Sequence, residues 1–291
     1  MATPSKAPVS VLILTLNEEK NLPACLDAVS WCDDVVVLDS HSTDGTVEFA
    51  RRFGARVYQR AFDTFAGQRN FGLSSIDFKH DWVFHLDADE IFTEALREEV
   101  ARAVTNMNYD AFHVPSKMMF QGKWLRYAGM YPSYQVRLTR VGRFVFRQAG
   151  HGQKEDVERS RIGMIKEPYL HYSFSKGIEE WFDRHNRYSS MEARETLDAL
   201  KMEKIHWKGL FSVDRPLRRK ALKHLSFRLP LRPLWRFVYM YFLRLGFLDG
   251  RSGFLYSRLL STYEFMIAVK VRELKTAGGL GEDRSPGMKA E

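Results

Sequence analysis

Cysteine is almost absent: Cys25 and Cys32 are the only two in 291 residues. They fall in and at the end of a predicted helix, with no zinc-type spacing around them. That excludes a disulfide framework and reads as two small buried hydrophobes in a reducing compartment. Long apolar runs are absent too. The most apolar stretches, around 237–243 and 265–269, are cut by Arg236, Arg244, Glu264 and Lys270. A spanning helix needs about 20 apolar residues. Residues 1–8 are polar and 9–16 are too short and too soon followed by charge, so no signal peptide is expected. Internal repeats and low-complexity blocks are also missing. What remains is ordinary globular composition, 45% hydrophobic and 27% charged, long enough for a large hydrophobic core without staples.

The charge is uneven. The net charge is +8, yet residues 204–275 alone carry 16 Lys and Arg against 4 Asp and Glu, leaving the remainder slightly acidic. A basic, aromatic-rich back end joined to a near-neutral front end implies an anionic surface or partner for the back end.

The front half alternates strand and helix signals. Residues 9–15 read as a β-branched, Leu-rich strand, and 17–29 as a helix with Asn17 as N-cap. Residues 34–39 form a second strand, followed by a helix that runs to about Phe53 with capping groups at 42–45. Residues 56–59, 66–75, 81–86 and 94–104 continue as strand, helix, strand and helix. Such alternation indicates βαβ units and a parallel sheet covered on both faces. After Asp110 the texture changes to short strands at 111–114, 117–121, 134–139 and 144–147. From about Lys176 the chain reads as helical to Lys275, with a Gly-, Pro- and charge-rich tail at 276–291 expected to be disordered.

In an open parallel sheet, ligands bind beyond the carboxyl ends of the strands. Polar clusters stand at three such ends: Thr15-Leu16-Asn17-Glu18-Glu19, Asp39-Ser40-His41-Ser42-Thr43-Asp44-Gly45-Thr46 and Asp87-Ala88-Asp89-Glu90. Asp87 and Asp89, two apart at a strand end, suit one Mg²⁺ or Mn²⁺ whose shell is completed by phosphate and water. The competing reading is an acid-rich helix start. Asp39 suits a nucleobase N–H or, alternatively, a turn. Thr15, Asn17 and Glu18 suit ribose or base. Arg69, near the start of a helix, suits phosphate or a solvated surface.

These strings, in this order and spacing, resemble family 2 glycosyltransferases with the GT-A fold. The resemblance covers residues 9–110, and Gln68-Arg69-Asn70 fits it as well. More narrowly, the chain is similar to the bacterial branch that builds lipopolysaccharide core and other surface polysaccharides, Leu248-Asp249-Gly250-Arg251-Ser252-Gly253 included. The resemblance implies a GT-A-type nucleotide-binding mixed α/β sheet with flanking helices. Residues 1–175 would form the catalytic domain, with a nucleotide-sugar half at 9–110 and an acceptor half at 111–175. Residues 176–275 would be a helical acceptor- or membrane-associating region.

It further implies inversion at the anomeric carbon, with a UDP-sugar or similar donor. Asp39 would read the base, and Thr15, Asn17 and Glu18 would line the nucleoside. Asp87 would lie near the ribose or donor sugar, and Asp89 would ligate the metal. Inversion requires one general base on the acceptor side. The segment Gly150-His151-Gly152-Gln153-Lys154-Glu155-Asp156 is the candidate. The branch places a His closely followed by an acid there; here the first acids after His151 are Glu155 and Asp156. Glu155, then Asp156, are the base candidates, against an exposed acidic turn at 154–158. Arg137 suits the diphosphate or acceptor, or else a surface edge strand. His151, Gln153, His171 and Trp181, with His185, Asn186 and Arg187, are acceptor-side candidates.

Residues 215–275 interleave Arg215, Arg218, Arg219, Lys220, Lys223 and further arginines with Phe227, Trp235, Tyr239, Phe242 and other aromatics. That pattern suits a membrane interface with anionic headgroups, or aromatics packed on the catalytic domain beneath a solvated basic face. A lipid-linked or lipopolysaccharide glycan acceptor and a peripheral place on the inner face of the cytoplasmic membrane follow from the first. Nucleic-acid-binding motifs are absent. Two other functions compete: a nucleotidyltransferase, which needs a Gly-rich basic loop where 15–19 is acidic, and a non-catalytic membrane-associated protein with a vestigial nucleotide site.

Overall fold

Strands β1 (Ser10–Thr15), β2 (Val35–Asp39) and β4 (Trp82–Asp87) are apolar at nearly every position, so each must be covered on both faces. The computed structural model shows how. It describes residues 7–149, 152–155, 161–202, 211–214, 217–218, 221–222, 225, 228 and 231–282. The chain divides into two compact units, Met1–Ile178 and Glu179–Glu291.

The first unit holds a mixed ten-stranded sheet. β3 (Arg56–Gln59), β2, β1 and β4 run parallel. The sheet then turns antiparallel through β8 (Ser133–Arg140) and β6 (Ala111–Phe120). β12 (Tyr169–His171) lies parallel to β6 and antiparallel to β5 (Glu90–Ile91). β7 (Lys123–Trp124) and β11 (Ile162–Met164) also pair with β6. A separate hairpin joins β9 (Phe146–Ala149) to β10 (Gly152–Glu155).

Successive side chains of a strand point to opposite faces. Val11, Ile13, Val35, Val37, Phe84 and Leu86 accordingly pack with α1 (Leu22–Ala28), α2 (Thr46–Phe53) and α4 (Glu94–Ala103). Leu12, Val36, Leu38 and Val83 face the other way, with Leu73 of α3 (Phe65–Ser75). Each fully buried aliphatic side chain stabilises by roughly 1.5–3 kcal/mol. α3 approaches the sheet closely because position 72 is glycine: a Cβ there would stand 2.5 Å from Leu12 Cδ2.

Several expectations need correction. The first helix starts at Leu22, not Asn17, because Asn17 sits at φ 55 and spends its side chain on Thr43. The two strands expected at 111–114 and 117–121 are one, since Pro115 occupies a sheet position opposite Tyr134 instead of breaking the chain. β8 lies between β4 and β6 and is no edge strand.

In the second unit, α5 (Ile178–Met202) and α7 (Gly250–Glu282) share a small core of Ala193, Ile267 and Val271. Lys270 Nζ donates to the Asn186 carbonyl at 2.6 Å and to Ser189 Oγ at 2.7 Å. α6 (Arg232–Val238) runs into a π-helical turn, Tyr239–Leu243, and a 3-10 turn, Gly246–Asp249. The expected disordered tail at 276–291 is helical to Glu282; residues 283–291 lie outside the described residues.

Candidate active site

Parallel registry brings the polar strand ends together. Thr15 is opposite Asp39, and Leu14 is opposite Asp87. The carboxyl ends of β1, β2 and β4 therefore form one edge, the position at which open α/β sheets bind ligands. The loops that leave this edge are laced to each other. Asn17 N–H donates to Ser42 Oγ, Glu18 N–H to Thr46 Oγ1, and Thr43 N–H to Asn17 Oδ1, each at 2.8 Å. Asn17 is thus a loop bridge rather than a helix cap.

Asp39 is fully buried. Its Oδ1 accepts from the Thr15 hydroxyl at 2.9 Å and from the Ser42 hydroxyl; its Oδ2 accepts from Ser42 N–H at 2.8 Å and Gln59 Nε2 at 3.3 Å. A carboxylate offers about four acceptor positions, and all are filled from within. To read a base, Asp39 must first lose the long Gln59 contact.

Asp87 sits between two buried arginines. Arg69 Nη2 donates to its Oδ1 at 2.8 Å and Arg137 Nη2 to its Oδ2 at 2.9 Å. Both guanidinium groups are only 2% exposed, so Arg69 is no solvated surface residue. Arg137 also reaches Glu90 Oε1 at 2.6 Å, and the second Glu90 oxygen accepts from Asp87 N–H at 2.9 Å. Burial alone would raise the Asp87 carboxyl, but Arg137 and Arg69 outweigh it and hold the group well below the usual carboxylate range. Burial pushes Glu90 up to about 7 against the pull of Arg137. The sequence set Glu90 in the third polar cluster without a role of its own, and nothing in it marked Tyr169, whose hydroxyl accepts from Arg137 Nε at 3.3 Å. Cys25 lies beneath, 3.7 Å from the Asp87 carbonyl, with its thiol pushed up by burial and so inert.

Asp89 faces a different partner. β12 pairs with β5, setting His171 opposite Glu90, and Tyr172 N–H donates to the Asp89 carbonyl at 2.8 Å. The His171 Nε2 then stands 3.4 Å from Asp89 Oδ2. Burial would lower the imidazole; the Asp89 charge and hydrogen bond outweigh it and raise it to about 9. Close by, Lys176 Nζ holds Glu18 Oε1 at 2.6 Å. Burial raises the Glu18 carboxyl, Lys176 lowers it, and Asp89 adds to the rise.

A divalent cation can be tested against this donor set. Each Asp87 oxygen already accepts from a guanidinium group, so a cation there would share both oxygens with Arg69 and Arg137. Asp89 and His171 offer one carboxylate and one imidazole on the same side. Among the described residues no three His, Cys, Asp or Glu side chains gather to hold an ion. The fit is to a cation that takes most of its shell from phosphate and water, as Mg²⁺ commonly does.

The remaining candidates are scattered. The start of α3 is capped by its own Thr64 hydroxyl, which accepts from Gly67 N–H at 2.9 Å, so it is not an open phosphate cradle. Asn70 exchanges two 2.8 Å bonds with the Phe146 backbone and ties the β9–β10 hairpin to α3. Glu155 pairs with Phe146 across that hairpin, and Arg69 lies over the Phe146 ring at 6.0 Å. The backbone of Glu155 is thereby set beside the arginine cluster. His151 and Asp156 lie outside the described residues, as do the side chains of Gln153 and Glu155. In the second unit, Trp181 is buried and stacked on His185, ring centroids 3.8 Å apart. A recess lined by Glu99, Arg102, Tyr109 and Met164 lies by α4 and β11, near the opposite end of the sheet, and holds none of these groups.

The Glycosyl transferase family 2 profile matches residues 10–158, half of the chain, including the carboxyl ends of β1, β2 and β4 but not His171 or Lys176. The chain belongs to glycosyl transferase family 2. This glycosyltransferase is 27% identical over 278 residues to an uncharacterized glycosyltransferase of Rickettsia typhi, covering 91% of this chain and 87% of that one. It is 24% identical over 277 residues to the lipopolysaccharide core biosynthesis glycosyltransferase LpsC of Rhizobium meliloti, covering 91% and 92%. Among solved structures it is similar to the Mycobacterium tuberculosis glucosyl-3-phosphoglycerate synthase in complex with Mn²⁺, UDP and glucosyl-3-phosphoglycerate. That match has 25% identity and a TM-score of 0.33, over 38% of this chain and 44% of that one. The glycosyltransferase thus spans less than half the length of that solved protein.

Proposed function

We propose that this glycosyltransferase moves a sugar from a UDP-sugar or similar nucleotide-sugar to a glycan acceptor, with inversion at the anomeric carbon. The observation that carries the reading is the registry that puts Thr15, Asp39 and Asp87 on one sheet edge, with Asp89 and His171 beside it. The nucleoside lies along Thr15, Asn17, Glu18 and Asp39, with Asp39 accepting from the base once Gln59 yields. Asp87, braced by Arg69 and Arg137, receives the ribose or donor sugar. Arg69 and Arg137 act through Asp87, because neither guanidinium is open to a phosphate.

Asp89 and His171 would hold Mg²⁺ or Mn²⁺, which would supply charge neutralisation for the departing diphosphate. His171 would have to be neutral to serve as a ligand, so metal uptake there would be proton-linked. Glu155, or failing it Asp156, takes the proton from the attacking acceptor hydroxyl. Base and leaving group then stand on opposite sides of the anomeric carbon, as inversion requires. The similarity to LpsC supports a lipid-linked or lipopolysaccharide glycan as acceptor. Such an acceptor would be met at the inner face of the cytoplasmic membrane. No helix among the described residues is long and apolar enough to cross one.

The test is a screen of sugar nucleotides by thermal shift with Mn²⁺ present, since specific binding raises apparent stability. It is followed by donor hydrolysis in the parent and in Asp89→Ala. Metal-dependent turnover that disappears in Asp89→Ala supports the reading. A well-folded parent that neither binds nor hydrolyses any sugar nucleotide refutes it and favours the non-catalytic alternative.

A further inference from the structure

The helical segment from Arg232 to Leu243 is inside out. A helix at a protein surface turns polar side chains to water. Here the outward stripe is Leu234, Trp235, Tyr239, Phe242 and Leu243, at helical spacing. Leu231, 70% exposed, begins the stripe and Leu243 is 71% exposed. The next turn adds Phe247 and Leu248. From 231 to 248 every exposed residue is aliphatic or aromatic, whereas Arg232, Arg236 and Arg244 are all partly buried. Arg232 is drawn inward by Glu264 at 2.7 Å. A second aromatic layer already fixes the segment to α7: Phe237 stacks with Tyr241 and both meet Phe254 edge-on. Phe242 also touches that layer, edge-on to Phe237 and Tyr241, while Leu234, Trp235 and Leu243 stay more than half exposed.

The rim decides what covers it. Arg258 is exposed with its guanidinium 5.7 Å from the Phe237 ring, Arg251 is exposed in the first turn of α7, and Arg218 and Arg228 are exposed upstream in the sequence. From 217 to 258 the sequence has ten basic residues and a single acid, Asp249. Two copies meeting face to face through this stripe would bring like charges together, which disfavours self-association. A lipid surface with anionic headgroups accepts both features, apolar side chains into the acyl boundary and arginines among the phosphates. The arginines that interrupt the run keep it in the interface.

We propose that residues 231–248 form an interfacial wedge that seats the second unit on an anionic bilayer through Leu234, Trp235, Tyr239, Phe242 and Leu243. The wedge rests on this surface alone and stands or falls separately from the donor assignment.

The experiment is cosedimentation of the full chain with vesicles of phosphatidylcholine, or of phosphatidylcholine and phosphatidylglycerol in equal parts. Binding to the anionic vesicles is expected to be at least about tenfold tighter and to weaken with salt. Leu234→Glu combined with Leu243→Glu, both more than half exposed, should weaken it about 100-fold while leaving donor hydrolysis and the thermal midpoint unchanged. Brominated lipid should quench the parent's tryptophan emission, and Trp235→Phe should remove most of that quenching. Equal binding to both vesicle types, full binding by the double variant, or quenching unchanged in Trp235→Phe overturns the proposal. A dimer in sedimentation that the double variant dissociates, without vesicle binding, assigns the face to a second copy and overturns it as well.

Discussion

Arg137 crosses from β8 to meet Asp87 at 2.9 Å, joining residues 50 apart in the chain beneath the candidate active site. The same nitrogen holds Glu90. A buried ion pair contributes little against a well-packed apolar substitute, but removing one partner strands the other charge at a cost of about 3–5 kcal/mol. Arg137→Met should therefore lower unfolding stability by that amount, measured by denaturant titration. A wild-type midpoint would show that Asp87 and Glu90 do not depend on it.

Acid sensitivity should come in part from Asp34, at the other end of the sheet. Its carboxylate accepts from the Ser10 hydroxyl, from Lys79 N–H at 2.8 Å and from Arg56 Nη2 at 2.7 Å. Burial would raise this carboxyl, yet Ser10, Lys79 and Arg56 together lower it. The unfolded chain then binds the proton more readily than the folded one, so stability is present above the ordinary Asp value of about 3.9 and is lost as pH falls below it. Asp34→Asn should lower stability near neutral pH and make the acid limb shallower. An unchanged acid limb in a stability–pH profile would contradict the assignment.

Glu155 is separable from the nucleotide site. Glu155→Gln should leave UDP binding as in the parent and reduce sugar transfer about 100-fold or more. If transfer is intact, the base lies elsewhere, and Asp156→Asn becomes the next variant.

The strand ends could be read from sequence because their physics is local. Apolar runs such as Val35–Leu38 must be covered on both faces, and a polar residue that closes each run, Thr15, Asp39 or Asp87, marks its carboxyl end. The arginines could not be read that way. An isolated Arg reads as solvated, and only the antiparallel placement of β8 beside β4 buries Arg137. His171 is similar: it reaches Asp89 because β12 pairs with β5, across some 80 residues of chain. Asn17 has the composition of a helix cap, but tertiary bonds to Thr43 and Ser42 claim it first. The aromatics around Trp235, Tyr239 and Phe242 were legible as an interface pattern, but the same spacing suits a helix packed inward; only exposure shows which way they face.

We propose that a nucleotide diphosphate and its cation are held at Asp89 and His171. Calorimetric titration of UDP into the purified chain, with Mn²⁺ and then with chelator, is the decisive measurement. Binding should depend on Mn²⁺ and weaken about 100-fold in both Asp89→Asn and His171→Ala, with correct folding retained. UDP binding of equal strength with and without Mn²⁺, or unchanged in the two variants, would rule this site out.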